Sequence, residues 1–413
     1  MGFGGNGMGA LAGIKVVDLT RILAGPFCAM ALADMGADVI KVESPAGGDP
    51  VRAQGAFKYG VSWYFVQFNR NKRSITLDLR SDAGKAVLAD LIRGADVLVE
   101  NFRPGVLAAM GFDQAHLDAL NPRLVVTRVT GYGSAGPYAD RPSFDFIAQA
   151  MSGLMATSGV PDGEPMRAAP PLSDMVAGLY AAFGTVAALV ARGTSGTATQ
   201  AGRGQVVETA LTNGLISFLA YLSAEYFATG ENPKRTGNDH PIAAPYGLFQ
   251  ARDGEIAVAA SQPYNVSQFF EVVGLSHVLS EDAYRDNDAR MAHRPALNAM
   301  INEVTRTRSV DHWIKVVNEA GCPCGRVMTL AEVFDDPQVQ AQEMAIDIAH
   351  PDHGTVRVTG FPVKMSGTPC QVARPAPRLG EHGGDVLREL GYSEAQIAEV
   401  LAAHAPRAST KPS

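Results

Sequence analysis

IKVVDLTRILAGPFCAMALADMGADVIKV, residues 14–42, decides the fold. Two apolar runs, Ile14–Leu19 and Asp38–Val42, flank the Ala- and Met-rich stretch Phe27–Met35, which has the composition of a helix. The pattern is strand, helix, strand, and strands this continuously apolar belong to sheets covered on both faces. It resumes with a strand at Ser74–Leu79, a helix at Ala83–Arg93, a strand at Asp96–Glu100, two short helices to Leu120 and a strand at Leu124–Thr130. Such alternation predicts an α/β protein with a parallel sheet and helices on both faces. Ligands on such sheets bind beyond the carboxyl ends of the strands, which directs attention to the loops after Leu19, Val42, Glu100 and Thr130.

Two long helical stretches are expected next, Met175–Arg192 and Val206–Tyr226, separated by the Gly- and Thr-rich segment Gly193–Gly204. The composition then shifts. Tyr246–Gln250 and Glu255–Ala260 read as strands joined by Ala251-Arg252-Asp253-Gly254, whose Asp-Gly pair signals a hairpin. Helices follow at Pro263–Val273, Ala296–Thr305 and Ser309–Ala320. From about residue 339 the chain is extended and Pro-rich, and it closes on a helix opened by the capping box Ser393-Glu394-Ala395-Gln396. The organisation expected is a large domain over residues 10–228, a smaller α+β domain over 229–335, and a return segment over 336–413 whose final helix packs on the large domain.

At 413 residues, 46% hydrophobic and 19% charged, the chain has core enough for about two domains. A net charge of −7 with scattered Lys and Arg gives no footprint for nucleic acid. Cys28, Cys322, Cys324 and Cys370 are ill-spaced for a disulfide framework, and Cys322-Pro323-Cys324 lacks the second ligand pair zinc would need. Reduced thiols, and a Met1–Gly9 stretch with neither a basic nor an apolar signal region, point to the cytoplasm. The uncharged run Met175–Ala191 is short for a bilayer and rich in Ala and Gly, so it reads as a buried core helix and no membrane association is expected.

Several motifs fail on context. Gly2-Phe3-Gly4-Gly5-Asn6-Gly7 matches the dinucleotide pattern with no strand before it, and Gly131-Tyr132-Gly133-Ser134-Ala135-Gly136 follows a strand but runs into Pro137–Pro142 instead of a helix. The second also misses a nucleophile elbow, because Tyr132 stands where glycine is needed. His240 receives no chemical role, and Arg70-Asn71-Lys72-Arg73 reads first as a solvated turn. Asn101-Phe102-Arg103-Pro104-Gly105 is more informative, since a guanidinium fork and an aromatic ring at a strand's carboxyl end suit phosphate or adenine. Asp174 follows Pro170 and Pro171 at the start of an uncharged helix, where partial positive charge keeps a carboxylate ionised. That position reads first as an ordinary N-cap, with a nucleophile as the second reading.

Taken in order, these segments resemble the class III CoA-transferases, the group typified by formyl-CoA transferase and carnitine CoA-transferase. The resemblance runs through Gly13–Thr20 with Ala24-Gly25-Pro26, Gly36–Glu43, Asn71–Ile75, Glu100–Gly105, Gly131-Tyr132-Gly133 with Gly136-Pro137-Tyr138, and Leu379-Gly380-Glu381-His382. It implies a Rossmann-like large domain, a small α+β domain and a homodimer of interlocked rings. It implies that an acyl-CoA and a carboxylic acid are the substrates, with CoA entering as a thioester substrate and no separate cofactor. The family's nucleophilic aspartate falls on Asp174, and its CoA contacts fall on Leu23, Ala24, Ser44, Leu77 to Arg80, Asn101, Phe102, Arg103, and Arg141 to Asp145 including Phe144. Ser44 replaces an arginine, leaving Arg103, Arg80 and Arg73 as alternatives for that charge. The family's glycine lid is replaced by Ala259-Ala260-Ser261-Gln262-Pro263 in the approximately matching region. The two acids are not specified, although Arg141, Arg167 and Arg235 are candidates to clamp a second carboxylate.

Two rival readings remain. An α-methylacyl-CoA racemase shares the resemblance but needs a histidine 30 positions before Asp174, where this chain has Phe144, a side chain that carries no proton. Asp145 beside it would have to substitute. A non-catalytic CoA-binding protein would keep the Arg103 loop and have no use for Asp174.

Overall fold

The computed structural model describes residues 9–194, 202–351 and 353–406. The glycine pattern at Gly2–Gly7 and most of the Gly193–Gly204 segment lie outside the described residues. The larger of two compact units holds the chain up to Leu154, Ala168–Ala220, and the chain from Pro337 onward. It is built on a six-stranded sheet: β1 (Lys15–Asp18), β2 (Asp38–Glu43), β3 (Lys72–Thr76), β4 (Val97–Glu100), β5 (Val125–Thr130) and β6 (Val206–Ala210). All pairings are parallel and the order is β3-β2-β1-β4-β5-β6. The strand order reverses direction between β1 and β4, and a crevice opens at that point beyond the carboxyl ends of the strands.

Period-two alternation explains why both faces are covered. Val16, Val39, Val97 and Val125 point to one side, against α1 (Ala24–Asp34) and a later helix, Leu172–Thr194. Val17, Ile40, Leu98 and Val126 point to the other, against α2 (Asp82–Arg93) and the C-terminal helices Gly383–Glu389 and Glu394–Ala403. The capping box expected at Ser393 is present, with Gln396 completing it.

Between β5 and β6 come α3 (Asp145–Met151) and α4 (Leu172–Thr194), and α5 (Leu211–Phe218) follows β6. The helix expected over Val206–Tyr226 is therefore corrected: its first five residues, VVETA, form the sixth strand. β-branched Val206, Val207 and Thr209 favour that state when β5 offers an open edge. The Pro-rich return segment likewise contains an antiparallel pair, Ala345–His350 with Gly354–Thr359.

Helix α4 is, among the described residues, the one long and apolar enough to cross a membrane. Its small residues have a packing reason: a Cβ on Gly178 would stand 2.5 Å from the Ala24 carbonyl oxygen, so glycine permits close contact with α1. The core-helix expectation holds for one face only. Ala177 and Ala181 are buried, while Leu179 is 54% and Phe183 is 70% exposed.

The second unit comprises Met155–Arg167 and Tyr221–Asp336. It contains the expected hairpin, Tyr246–Ala251 with Gly254–Ala259, extended by Cys324–Arg326 and packed on helices Pro263–Val272, Arg294–Thr305 and Val310–Glu319. Helix Tyr221–Thr229 and the excursion Met155–Arg167 belong to this unit, whereas composition assigned them to the large domain.

Candidate active site

Two adjoining clefts, each of about 380 Å³, open at the carboxyl end of the sheet and share Arg21 and Phe102 in their walls. The first brings together Leu23 and Ala24 after β1, Asn101, Phe102 and Arg103 after β4, and Arg141, Phe144 and Asp174. The second is lined by Ser44, Leu77 and Arg80. Of the residues expected to bind CoA, these therefore line two neighbouring clefts that share Arg21 and Phe102.

Two do not line it. Arg73 lies at the amino-terminal end of β3, where its guanidinium forks onto Asp38 at 2.5 Å and Glu389 at 2.8 Å. A cation committed to two carboxylates at the opposite edge of the sheet has nothing left for a phosphate, so Arg73 is removed from the site. Asp145 points into the protein: Oδ1 accepts from both the backbone N–H and the hydroxyl of Ser173, each at 2.9 Å, and Oδ2 accepts from Gln149 at 2.8 Å. It supplies from a neighbouring helix the cap that Pro171 cannot give α4.

Asp174 is the third residue of α4, in its first turn, and the N-cap assignment is corrected accordingly. Its carboxylate accepts no hydrogen bond from the described residues, and its pKa is pushed up to about 7, first by burial and then by the charge of Asp145. The helix start, which was expected to keep the carboxylate ionised, is opposed by burial and by Asp145. The group titrates near neutrality and is a stronger base than an ordinary aspartate.

Arg21 and Asp49 were not singled out from sequence, and Ser143 entered only within the stretch Arg141 to Asp145. Arg21 follows β1 directly and lies over the Phe102 ring at 5.5 Å, and its position just past Leu19 was the available signal. Ser143 Oγ is buried in the cleft wall with no hydrogen-bond partner among the described residues, leaving a donor for a ligand. Arg141 stacks on Tyr138 at 3.8 Å. Within the second unit, Arg235 donates to the Gly163 and Ala156 carbonyls at 2.6 and 3.2 Å, and Arg167 belongs to that unit too. Among the described residues no group of three His, Cys, Asp or Glu side chains is placed to hold a metal.

The sequence model of CoA-transferase family III matches residues 11–383. The chain belongs to this family. This class III CoA-transferase is 38% identical over 387 residues to the succinate–glutarate CoA-transferase of Agrobacterium fabrum, covering 92% of this chain and 95% of that one. It is 36% identical over 390 residues to the acetyl-CoA:oxalate CoA-transferase of Acetobacter aceti, covering 94% and 97%. The crystal structure of a CAIB/BAIF family protein from Brucella suis superimposes with a TM-score of 0.82 at 36% identity, covering 93% of this chain and 100% of that one. The enzyme thus moves CoA between an acyl-CoA and a carboxylic acid.

Proposed function

We propose that transfer proceeds by covalent chemistry at Asp174, with a dicarboxylic acid as one substrate. The Asp174 carboxylate attacks the donor's thioester carbonyl, the C–S bond breaks, and CoA thiolate leaves a mixed anhydride on the enzyme. The thiolate then attacks the aspartyl carbonyl, the donor's acid departs as a carboxylate, and Asp174 holds CoA as a thioester. The acceptor carboxylate attacks that thioester and expels the thiolate, which attacks the acceptor's carbonyl in the new anhydride and restores Asp174. Anhydride and thioester conserve the donor's energy, whereas a serine ester would be a sink.

The observation that carries this reading is a half-buried carboxylate with no hydrogen-bond partner among the described residues, lining the crevice with the start of α1. The N-cap position of α1, Leu23, makes no side-chain cap, so its first-turn N–H groups are open to an oxyanion formed at Asp174. A pKa near 7 supports nucleophilicity, since a more basic carboxylate attacks more readily once ionised. Racemisation is not favoured: Phe144 supplies no proton and Asp145 is bonded to Ser173 and Gln149.

CoA is proposed to run along both clefts, its phosphates met by Arg21, Arg103 and Arg80 and its thioester end at Asp174, with no further cofactor required. The two relatives act, by their names, on succinate, glutarate and oxalate, which supports a dicarboxylate here. Arg141 is the candidate to hold the second carboxylate. An interlocked homodimer is also proposed, because Phe146, Met151, Leu179, Phe183, Ile216 and Phe218 are exposed on helices α3, α4 and α5. Four free cysteines support a reducing, cytoplasmic setting.

Asp174→Ala is expected to abolish transfer while CoA affinity, measured by calorimetry, stays within about threefold, as for loss of an interaction made only in the reaction. Retained transfer in that variant rules out the mechanism.

A further inference from the structure

The turn from β1 into α1 is held at every backbone polar group from Thr20 to the Ile22 amide. Thr20 N–H donates to Asp18 at 2.8 Å, and its carbonyl accepts from Lys41 Nζ at 2.7 Å. Arg21 N–H donates to Asn101 Oδ1 at 3.0 Å, and the Asn101 amide donates back to the Arg21 carbonyl at 2.7 Å. Ile22 N–H donates to Asp49 Oδ1 at 3.0 Å. Two of these anchors are one ion pair, since Lys41 Nζ lies 3.1 Å from Asp49 Oδ2 with both side chains wholly buried.

Ile22 is the reason such a clamp is needed. Its φ is +71°, a left-handed conformation that a β-branched residue adopts only under constraint. Ile22 also lines the cleft that contains Asp174, and the next residue, Leu23, opens α1. Left to its own preference, Ile22 would revert to negative φ and turn the start of α1 away from α4. A buried ion pair is a poor source of stability compared with apolar packing, which makes conformational control the better account of its presence here.

We propose that Asp49, together with Lys41, is a positioning residue for CoA transfer: the pair holds Ile22 in its left-handed turn and so fixes the start of α1 against Asp174. Both side chains are buried, and the pair acts through the backbone of the turn. Its action is to keep the Leu23–Gly25 backbone in register with the reacting carboxylate. This rests on the Asp174 reading, and the test separates the two.

The experiment is a cycle of substitutions in the full-length enzyme, measuring kcat and the KM for acyl-CoA. Asp49→Ala is expected to lower kcat/KM about 100-fold, in the range seen when a reacting group is displaced by about an ångström. Glycine adopts positive φ freely. In the Ile22→Gly background the same Asp49 change is therefore expected to cost about tenfold less, as for directly coupled residues. A loss of equal size in both backgrounds overturns the proposal. Because Asp49→Ala strips buried Lys41 of its nearer carboxylate and leaves it only Asp18 at 3.9 Å, the cycle is repeated with Lys41→Met/Asp49→Leu, which removes both charges. This variant is expected to melt cooperatively yet transfer poorly, and to recover with Ile22→Gly. If it transfers within about threefold of the unsubstituted enzyme, the pair does not position the turn. Hydroxylamine trapping on the unsubstituted enzyme reports on Asp174 alone. A trapped Asp174 without rescue by Ile22→Gly removes only the positioning role, whereas no trapping removes both.

Discussion

At the amino-terminal edge of the sheet Arg73 forks onto Asp38 and Glu389, whereas at the carboxyl-terminal edge Arg21 meets no carboxylate among the described residues and lies over Phe102. Two carboxylates show the same contrast. Asp38 at the first edge is paired, while Asp174 at the second is half-buried and accepts no hydrogen bond from the described residues. Charges that satisfy one another at one edge hold strands and helices together. Charges left without a partner among the described residues at the other, Arg21 and Asp174, are costs the fold carries, and they mark where a ligand completes the arrangement.

Replacing the Asp174 carboxylate should break this contrast most severely. Asp174→Asn is expected to reduce transfer about 10⁴-fold or more, the scale for loss of a nucleophile, while raising stability. The sign follows from the pKa: at about 7 in the folded protein against 3.8 ordinarily, the folded state holds the extra proton between those values. The ionised aspartate therefore costs stability that appears as pH rises through about 4 to 7 and is complete above it. Thermal melts should show Asn ahead by on the order of 1–3 kcal/mol at pH 8 and level with Asp below pH 4. A destabilised Asn variant at pH 8 contradicts the strain ascribed to this edge.

The arginines give the next largest contrast. Arg21→Ala is expected to raise the KM for acyl-CoA about 10- to 100-fold with little change in melting temperature, as for a lost charge-assisted phosphate contact. Arg73→Ala should do the reverse, costing about 1–2 kcal/mol of stability with KM unchanged, because its partners are half exposed. The smallest effect concerns pH. The acid limb of kcat/KM should fall below an apparent pKa near 7, and Asp145→Asn should move that limb to lower pH while leaving CoA binding intact. A limb that stays in place means that Asp145 acts only as the cap of α4.

Much of the sheet was legible because its strands are continuously apolar and its helices alternate with them. Val206–Ala210 was not, since a β-branched run beside a long apolar helix becomes a strand only when a neighbouring edge is free, and sequence does not display that edge. Asp174 and the Asn101–Arg103 loop were legible from their places at a helix start and a strand end. The role of Asp145 was hidden because it caps a helix that begins 27 residues later, at Leu172. Arg73 was misassigned because adjacency in sequence to a strand does not say which end of the sheet the side chain occupies. Ile22 and its ion pair were beyond sequence altogether, since positive φ at isoleucine has no compositional signal.

The most direct measurement is intact-protein mass spectrometry after incubation with succinyl-CoA and hydroxylamine, followed by peptide mapping. A hydroxamate on Asp174 is the expected result, formed when hydroxylamine intercepts the aspartyl anhydride or thioester. An unmodified Asp174 across several acyl-CoA donors under conditions of active transfer would contradict covalent catalysis at this residue.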